Sequence, residues 1–115
     1  PAEADITTVM LSCLPLTLKL GDLIDILEAL GYADTYDFVS LVLRGKPGRD
    51  SKYNIGYGFV NFKDSRVAAS FIALFATGDF EPVHAQTAKT QGLVSCLESV
   101  RKSVERGNSC FLVLA

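Results

Sequence analysis

Two aromatic residues, Tyr57 and Phe59, lie two positions apart in the segment YNIGYGFVNF. Residues two apart in a β-strand point to the same face of the sheet. The alternate positions include Val60 and Phe62 and are expected to face the core, so the pair is expected on the opposite, open face. A nucleic-acid base can stack on such a ring, a contact of about 1–3 kcal/mol. The pair therefore predicts a stacking platform for single-stranded nucleic acid.

A cationic cluster follows the predicted second strand, in the segment RGKPGRDSK at positions 44–52. Its cations are Arg44, Lys46, Arg49 and Lys52. Since the net charge of the whole chain is −2, the charge is polarised along the chain. Asp22, Asp25 and Glu28 recur at a spacing of three and are expected on one face of a helix. The cationic segment is either a phosphate-attracting surface or a solvated loop.

Metal binding and catalysis find little support in the sequence. The three cysteines form no CxxC pair and His84 is the only histidine, so we expect no zinc site and no cofactor. Cys13 and His84 have no third group to orient them, so we expect no enzyme. An acylphosphatase-like activity would need an arginine after the first strand, where SCLPLTLKLG has none.

The length of 115 residues suits one domain, and the start at Pro1 suggests a piece of a longer protein. No apolar run approaches the ~18–20 residues that span a bilayer, and no signal-peptide pattern opens the chain. Reduced cysteines in an intracellular protein, nuclear or cytoplasmic, are the expectation.

The elements that position the aromatic pair are predicted in the order βαββαβ, followed by a third helix. Strands are predicted at 6–15, 36–43, 53–62 and 81–90, and amphipathic helices at 21–31, 64–78 and 92–106. This order predicts one α+β domain at 1–115, a ferredoxin-like βαββαβ sandwich with a core at about 6–91. A C-terminal helical extension occupies about 92–107, and an apolar tail at 108–115 is a candidate extra strand.

Such a sheet has one open face unless another element covers it. The third helix is the candidate cover, and Tyr57 and Phe59 would then pack beneath it as a second core. Gly56 and Gly58 are expected to let a helix approach the other face closely. The tail from Phe111 to Leu114 offers a surface for self-association if it is not docked.

The segment IGYGFVNF resembles the RNP1 motif of the RNA recognition motif (RRM) family, usually K/R-G-F/Y-G/A-F-V-x-F/Y, at seven of eight positions. VMLSCL stands in the first strand, where RNP2 belongs, and QTAKT resembles the end of the fourth RRM strand. More narrowly, TTVMLSCLP, YDFVSL, NIGYGFVNF and AKTQGL resemble the C-terminal RRM of the Mei-two-like RNA-binding proteins, regulators of meiosis and development. That group also continues through a Gln-Gly step into a further helix.

The resemblance implies non-catalytic binding of single-stranded RNA on the sheet face. Tyr57 and Phe59 would stack on bases, with Met10 as an apolar neighbour. The cationic cluster would attract phosphates. Polar contacts would come from Ser12, Asn61, Gln86 and Lys89.

Two departures from the RRM pattern support an alternative. Ile55 stands where RNP1 usually has Lys or Arg, and Met10 stands where RNP2 usually has an aromatic ring. Together with the acidic balance they favour an RRM-like protein-interaction module with little RNA affinity, using the acidic first helix or a covered sheet face. Only RNA binding predicts an affinity that falls with salt and with loss of Tyr57 or Phe59.

Overall fold

The structure, a computed structural model, describes residues 5–43, 53–106 and 109–114. The strands are β1 (Thr8–Ser12), β2 (Tyr36–Leu43), β3 (Asn54–Phe62), β4 (His84–Thr87) and β5 (Ser109–Leu114). The helices are α1 (Leu20–Ala29), α2 (Ser65–Phe75) and α3 (Leu93–Glu105). The predicted order of elements is confirmed, and the tail forms the extra strand. Within the described residues, no helix has the length and apolar character needed to cross a bilayer.

The strands form one antiparallel sheet in the order β4-β1-β3-β2-β5. The first four strands have the order of the predicted ferredoxin-like sandwich, and β5 extends the sheet beyond β2. Because the backbone of β5 pairs with β2 from Phe38↔Leu114 to Leu43↔Ser109, the tail is docked. The condition for self-association through an undocked tail is therefore not met. β4 is shorter than predicted, since residues before it form a turn in which the Val83 N–H donates to the Phe80 carbonyl at 2.9 Å.

The core lies between the sheet and the helices α1 and α2. Its side chains alternate along the strands, as a sheet with one buried face requires. Phe71 of α2 stands at its centre, with its ring 5.1 Å from that of Phe62 and 4.8 Å from that of Phe75. Each such side chain contributes roughly 1.5–3 kcal/mol when fully buried. The other fully buried members are Val9, Leu11, Leu27, Val39, Leu41 and Val60.

Gly58 is needed for a close approach, although the approaching element is not a helix as predicted. A Cβ atom at Gly58 would lie 3.2 Å from the side chains of Leu14 and Leu41 and from the Ser40 carbonyl oxygen. These atoms belong to the neighbouring strand and to the segment after β1. Gly56 has a φ of +94°, which glycine adopts without strain. Both glycines therefore serve the sheet and its first connection.

The connection between β1 and α1 is held to the start of β3 by Asn54, a buried residue that is 1% exposed. Its amide nitrogen donates to the carbonyls of Pro15 and Leu18, at 2.9 Å each. Its amide oxygen accepts from the Gly56 N–H at 2.7 Å. This side chain replaces the backbone partners that an irregular connection lacks.

Candidate nucleic-acid interface

The sheet face opposite α1 and α2 presents its side chains in rows set by strand register. Met10 of β1 pairs with Phe59 of β3 and with Gln86 of β4. Phe59 also pairs with Ser40 of β2. Gln86, Met10, Phe59 and Ser40 therefore form one row across four strands. Tyr57 lies on the same face of β3, two residues from Phe59.

The two aromatic residues differ in exposure. Tyr57 is 44% exposed, whereas Phe59 is half-buried. Met10 and Ser12 are half-buried beside them, and Gln86 and Lys89 are exposed at the β4 edge. The structure thus brings Tyr57, Phe59, Met10, Ser12 and Gln86 to one face, as predicted, with Tyr57 as its open ring.

The difference arises because α3 covers one side of this face. Cys96, Ser99 and Val100 of α3 enclose a cavity of about 110 Å³ together with Phe59 and β2 side chains of the sheet. Tyr57 does not line this cavity. The prediction of a second core beneath the third helix is therefore right for Phe59 in part and wrong for Tyr57.

Gln91 attaches the segment before α3 to β1. Its side-chain oxygen accepts from the N–H groups of Thr7 and Thr8, both at 2.9 Å. Its side-chain nitrogen donates to the carbonyls of Thr8 and Ala88, at 2.9 and 2.8 Å. One amide thus satisfies four backbone groups at the end of the sheet. The next residue, Gly92, has a φ of +90° and turns the chain into the helix.

A polar network continues from this point to Asn61, which corrects the expectation that Asn61 lies on an open surface. Asn61 is 3% exposed. Its oxygen accepts from the hydroxyls of Thr7 and Thr8, at 2.8 and 2.7 Å, and its nitrogen donates to the Asp37 carboxylate at 2.8 Å. These contacts use its polar atoms inside the protein, because the start of α3 closes this end of the face.

Cys96 is the part of α3 that reaches this network, with its Sγ atom 3.7 Å from the Thr8 hydroxyl. The thiol is 4% exposed. Burial raises its pKa, to which the charge of Asp37 adds and which the Thr8 hydrogen bond opposes. The thiol is therefore held protonated and acts as a small apolar contact between helix and sheet.

The cationic cluster of Arg44, Lys46, Arg49 and Lys52 lies outside the described residues, so its contribution stays a prediction. Lys89 is exposed in the segment between β4 and α3. On α3, Arg101 forms ion pairs with Glu98 and Glu105 on the helix surface. The described residues contain no group of three or more His, Cys, Asp or Glu side chains that could hold a metal ion.

Comparison with known proteins places this architecture. No protein-family model matches the chain, and no curated protein matches it. Solved structures do match. The Rna15 RRM with bound RNA (GU) superimposes with a TM-score of 0.60 at 13% identity, covering 89% of this chain and 99% of that one. The Snu17p–Pml1p assembly intermediate superimposes with a TM-score of 0.56 at 14% identity, covering 90% and 86%.

The chain has the RRM fold. A second structure of the Rna15 RRM agrees, with a TM-score of 0.55 at 15% identity over 73% of this chain and 91% of that one. At these identities the similarity establishes the architecture of the domain.

Two residues of this RRM-fold face were not singled out from the sequence. Gln91 positions α3, and its only signal was the Gln-Gly step before a helix. Ser40 lies in the row with Phe59 and is 3% exposed. The alternation of YDFVSLVL would have placed it on this face, had that strand been divided into its two faces.

Proposed function

We propose that this domain binds single-stranded RNA without catalysis, on the sheet face opposite α1 and α2. Tyr57 stacks on a base, Met10 and Phe59 form the apolar surface beside it, and Ser12, Gln86 and Lys89 supply polar contacts. The cationic cluster at 44–52 attracts phosphates. Asn61 takes an indirect part, since it supports the end of the face from within.

The observation that carries the proposal is the exposure of the Tyr57 ring on this face. An exposed ring bordered by a half-buried Met10 and a polar edge strand has the composition of a stacking platform. α3 restricts the platform to the side formed by β3, β1 and β4, because it covers β2 and part of Phe59.

The test is a titration of the labelled domain with a degenerate pool of short single-stranded RNA, followed by amide shifts and fluorescence anisotropy. Tyr57→Ala should weaken binding by about 1–3 kcal/mol, the value of one base stacked on an aromatic ring. Tyr57→Phe is the matched control and should retain most of the affinity. Phe59→Ala is a less clean variant, because it also removes packing beneath α3.

Salt provides an independent criterion. Phosphate contacts release counterions, so the logarithm of the affinity should fall linearly with the logarithm of the salt concentration. The absence of amide shifts at hundreds of micromolar RNA would refute the proposal for this domain. Shifts confined to 44–52 would indicate phosphate contact alone and would also refute base stacking.

A protein-interaction module is the second candidate, and the half-covered Phe59 favours it. In that case affinity for RNA would be negligible and Tyr57→Ala would leave it unchanged. Under the RNA-binding function we place the domain with the post-transcriptional regulators of the Mei-two-like group, supported by the Gln91–Gly92 step into α3. An RNA ligand would locate the protein inside the cell, in the nucleus or the cytoplasm.

A further inference from the structure

The helix side of the domain contains an apolar cavity that the proposed RNA surface does not use. It has a volume of about 150 Å³ and lies between α1, α2 and the segments after β1 and before β4. An apolar cavity of this size takes up a group as large as benzene. Its wall reaches the surface at Ile26, which is 40% exposed. Its other walls include Leu18, Leu23, Phe75, Phe80 and Val83.

The segments around this cavity are acidic. Residues 20–35, which contain α1, include four acids and no lysine or arginine. Residues 67–83, which contain most of α2 and the turn after it, include Asp79 and Glu81 and likewise no lysine or arginine. Both of these carboxylates are exposed, as are Asp22 and Asp25 on α1. A cation approaching the cavity therefore meets negative charge from both walls.

The acids of α1 divide between two sides of the helix, in contrast to the single face predicted from their spacing. Asp22 lies one turn before Ile26, and Asp25 immediately precedes it, so both flank the cavity wall. Glu28 lies toward β2. Burial raises the pKa of the Tyr36 hydroxyl there, and the charges of Glu28 and Asp34 add to the shift. Glu28 thus provides an internal control for the acids at the cavity.

We propose that this cavity docks a basic peptide segment that inserts one bulky apolar side chain, an aromatic ring or a large aliphatic group, between α1 and α2. The apolar walls accept the inserted side chain. The carboxylates of Asp22, Asp25, Asp79 and Glu81 attract lysines or arginines on either side of it. Complementarity of charge selects this occupant over an acidic or neutral segment, which would gain only the apolar contact.

The probe is a short fluorescein-labelled peptide with a central tryptophan flanked by lysines, titrated into the full chain at low salt. Replacing the tryptophan by alanine should weaken binding about tenfold or more, as expected for an anchor side chain in a pocket. Replacing the lysines by glutamates should abolish binding. Amide shifts are expected at Leu23, Ile26 and Phe80.

Matched variants of the domain locate the site. Asp25→Asn and Asp79→Asn should each weaken binding up to about fivefold, the upper range for an exposed charge pair. Glu28→Gln, with the same change of charge on the β2 side of the helix, should change it less. Ile26→Lys should abolish binding, and an unchanged amide spectrum elsewhere would confirm that the variant folds, since Ile26 lies at the surface.

Three results would overturn the proposal. They are no binding of the tryptophan peptide at millimolar concentration, equal binding of the alanine peptide, and shifts centred on Tyr57. RNA and peptide titrations are independent, because the two surfaces lie on opposite sides of the sheet. Peptide binding that persists in Tyr57→Ala would thus stand even if the RNA-binding function failed, and the reverse holds for Ile26→Lys.

Discussion

Replacing Gln91 by alanine should release α3 from the sheet without disturbing the rest of the core. Gln91 lies ahead of the helix, and its side chain contacts backbone groups at Thr7, Thr8 and Ala88. These contacts join segments more than 80 residues apart in the chain. Without them, the turn at Gly92 loses its anchor and the first turn of α3 is expected to open more often.

The magnitude follows from the four hydrogen bonds. Each contributes about 0.5–1.5 kcal/mol net. Since the site is only partly buried and water can reach the freed groups, we expect the lower end, a loss of about 2 kcal/mol. If the whole loss falls on the local opening of α3, the open population rises roughly 30-fold, at 1.36 kcal/mol for each factor of ten.

Alkylation of Cys96 measures that opening. The thiol is buried in the closed state, whereas Cys13 is exposed and reports the intrinsic reactivity of the reagent. Peptide mapping should show faster labelling of Cys96 in Gln91→Ala and unchanged labelling of Cys13. Gln86→Ala, the same substitution at an exposed β4 position, is the control. Equal Cys96 labelling in Gln91→Ala and the parent would show that these hydrogen bonds do not hold the helix.

Three further changes test other parts of the structure. Gly58→Ala should destabilise the domain by about 1–3 kcal/mol in denaturant unfolding, because its Cβ would be crowded on three sides, whereas Gly21→Ala, with open space in α1, should stabilise it by about 0.5–1 kcal/mol. Asn54→Ala should cost about 2–4 kcal/mol, since two carbonyls and one N–H lose their partner, and an unchanged midpoint would contradict this. The raised pKa of Cys96 gives stability that is present below the unfolded thiol pKa of about 8.5 and lost as pH rises through the folded value; the free energy of unfolding should therefore fall above about pH 8.5, and less steeply in Cys96→Ala.

Much of the fold follows from local patterns. The strand β2 has the predicted bounds, Tyr36–Leu43, because its β-branched and aromatic residues lie between clear turn signals. The bounds of β1 and β4 were predicted too widely, since a strand extends only as far as its partner pairs with it. That partner is distant in sequence, as the pairing Ser12↔His84 illustrates. Local composition contains no record of it.

The same distinction explains the site. Alternation in β3 placed Tyr57 and Phe59 on one face, and the register confirms this. It also placed Asn61 there, yet could not show that Thr8 lies opposite or that α3 begins above them. The contacts that bury Asn61 come from a residue 53 positions earlier in the chain and from a helix that lies over the end of the sheet. Burial of a polar residue on an otherwise open face depends on such long-range cover.

The partial cover by α3 also limits what RNA can gain. A base stacked on Phe59 gains about 1–3 kcal/mol. Uncovering that ring fully would expose Cys96 and Val100, and a fully buried side chain of similar size is worth about 1.5–3 kcal/mol. One base therefore does not displace the helix. RNA that binds this face should leave α3 in place and use Tyr57 with its neighbours Met10 and Gln86. Consequently Tyr57 should be the more sensitive of the two aromatic positions, and further affinity must come from phosphate contacts.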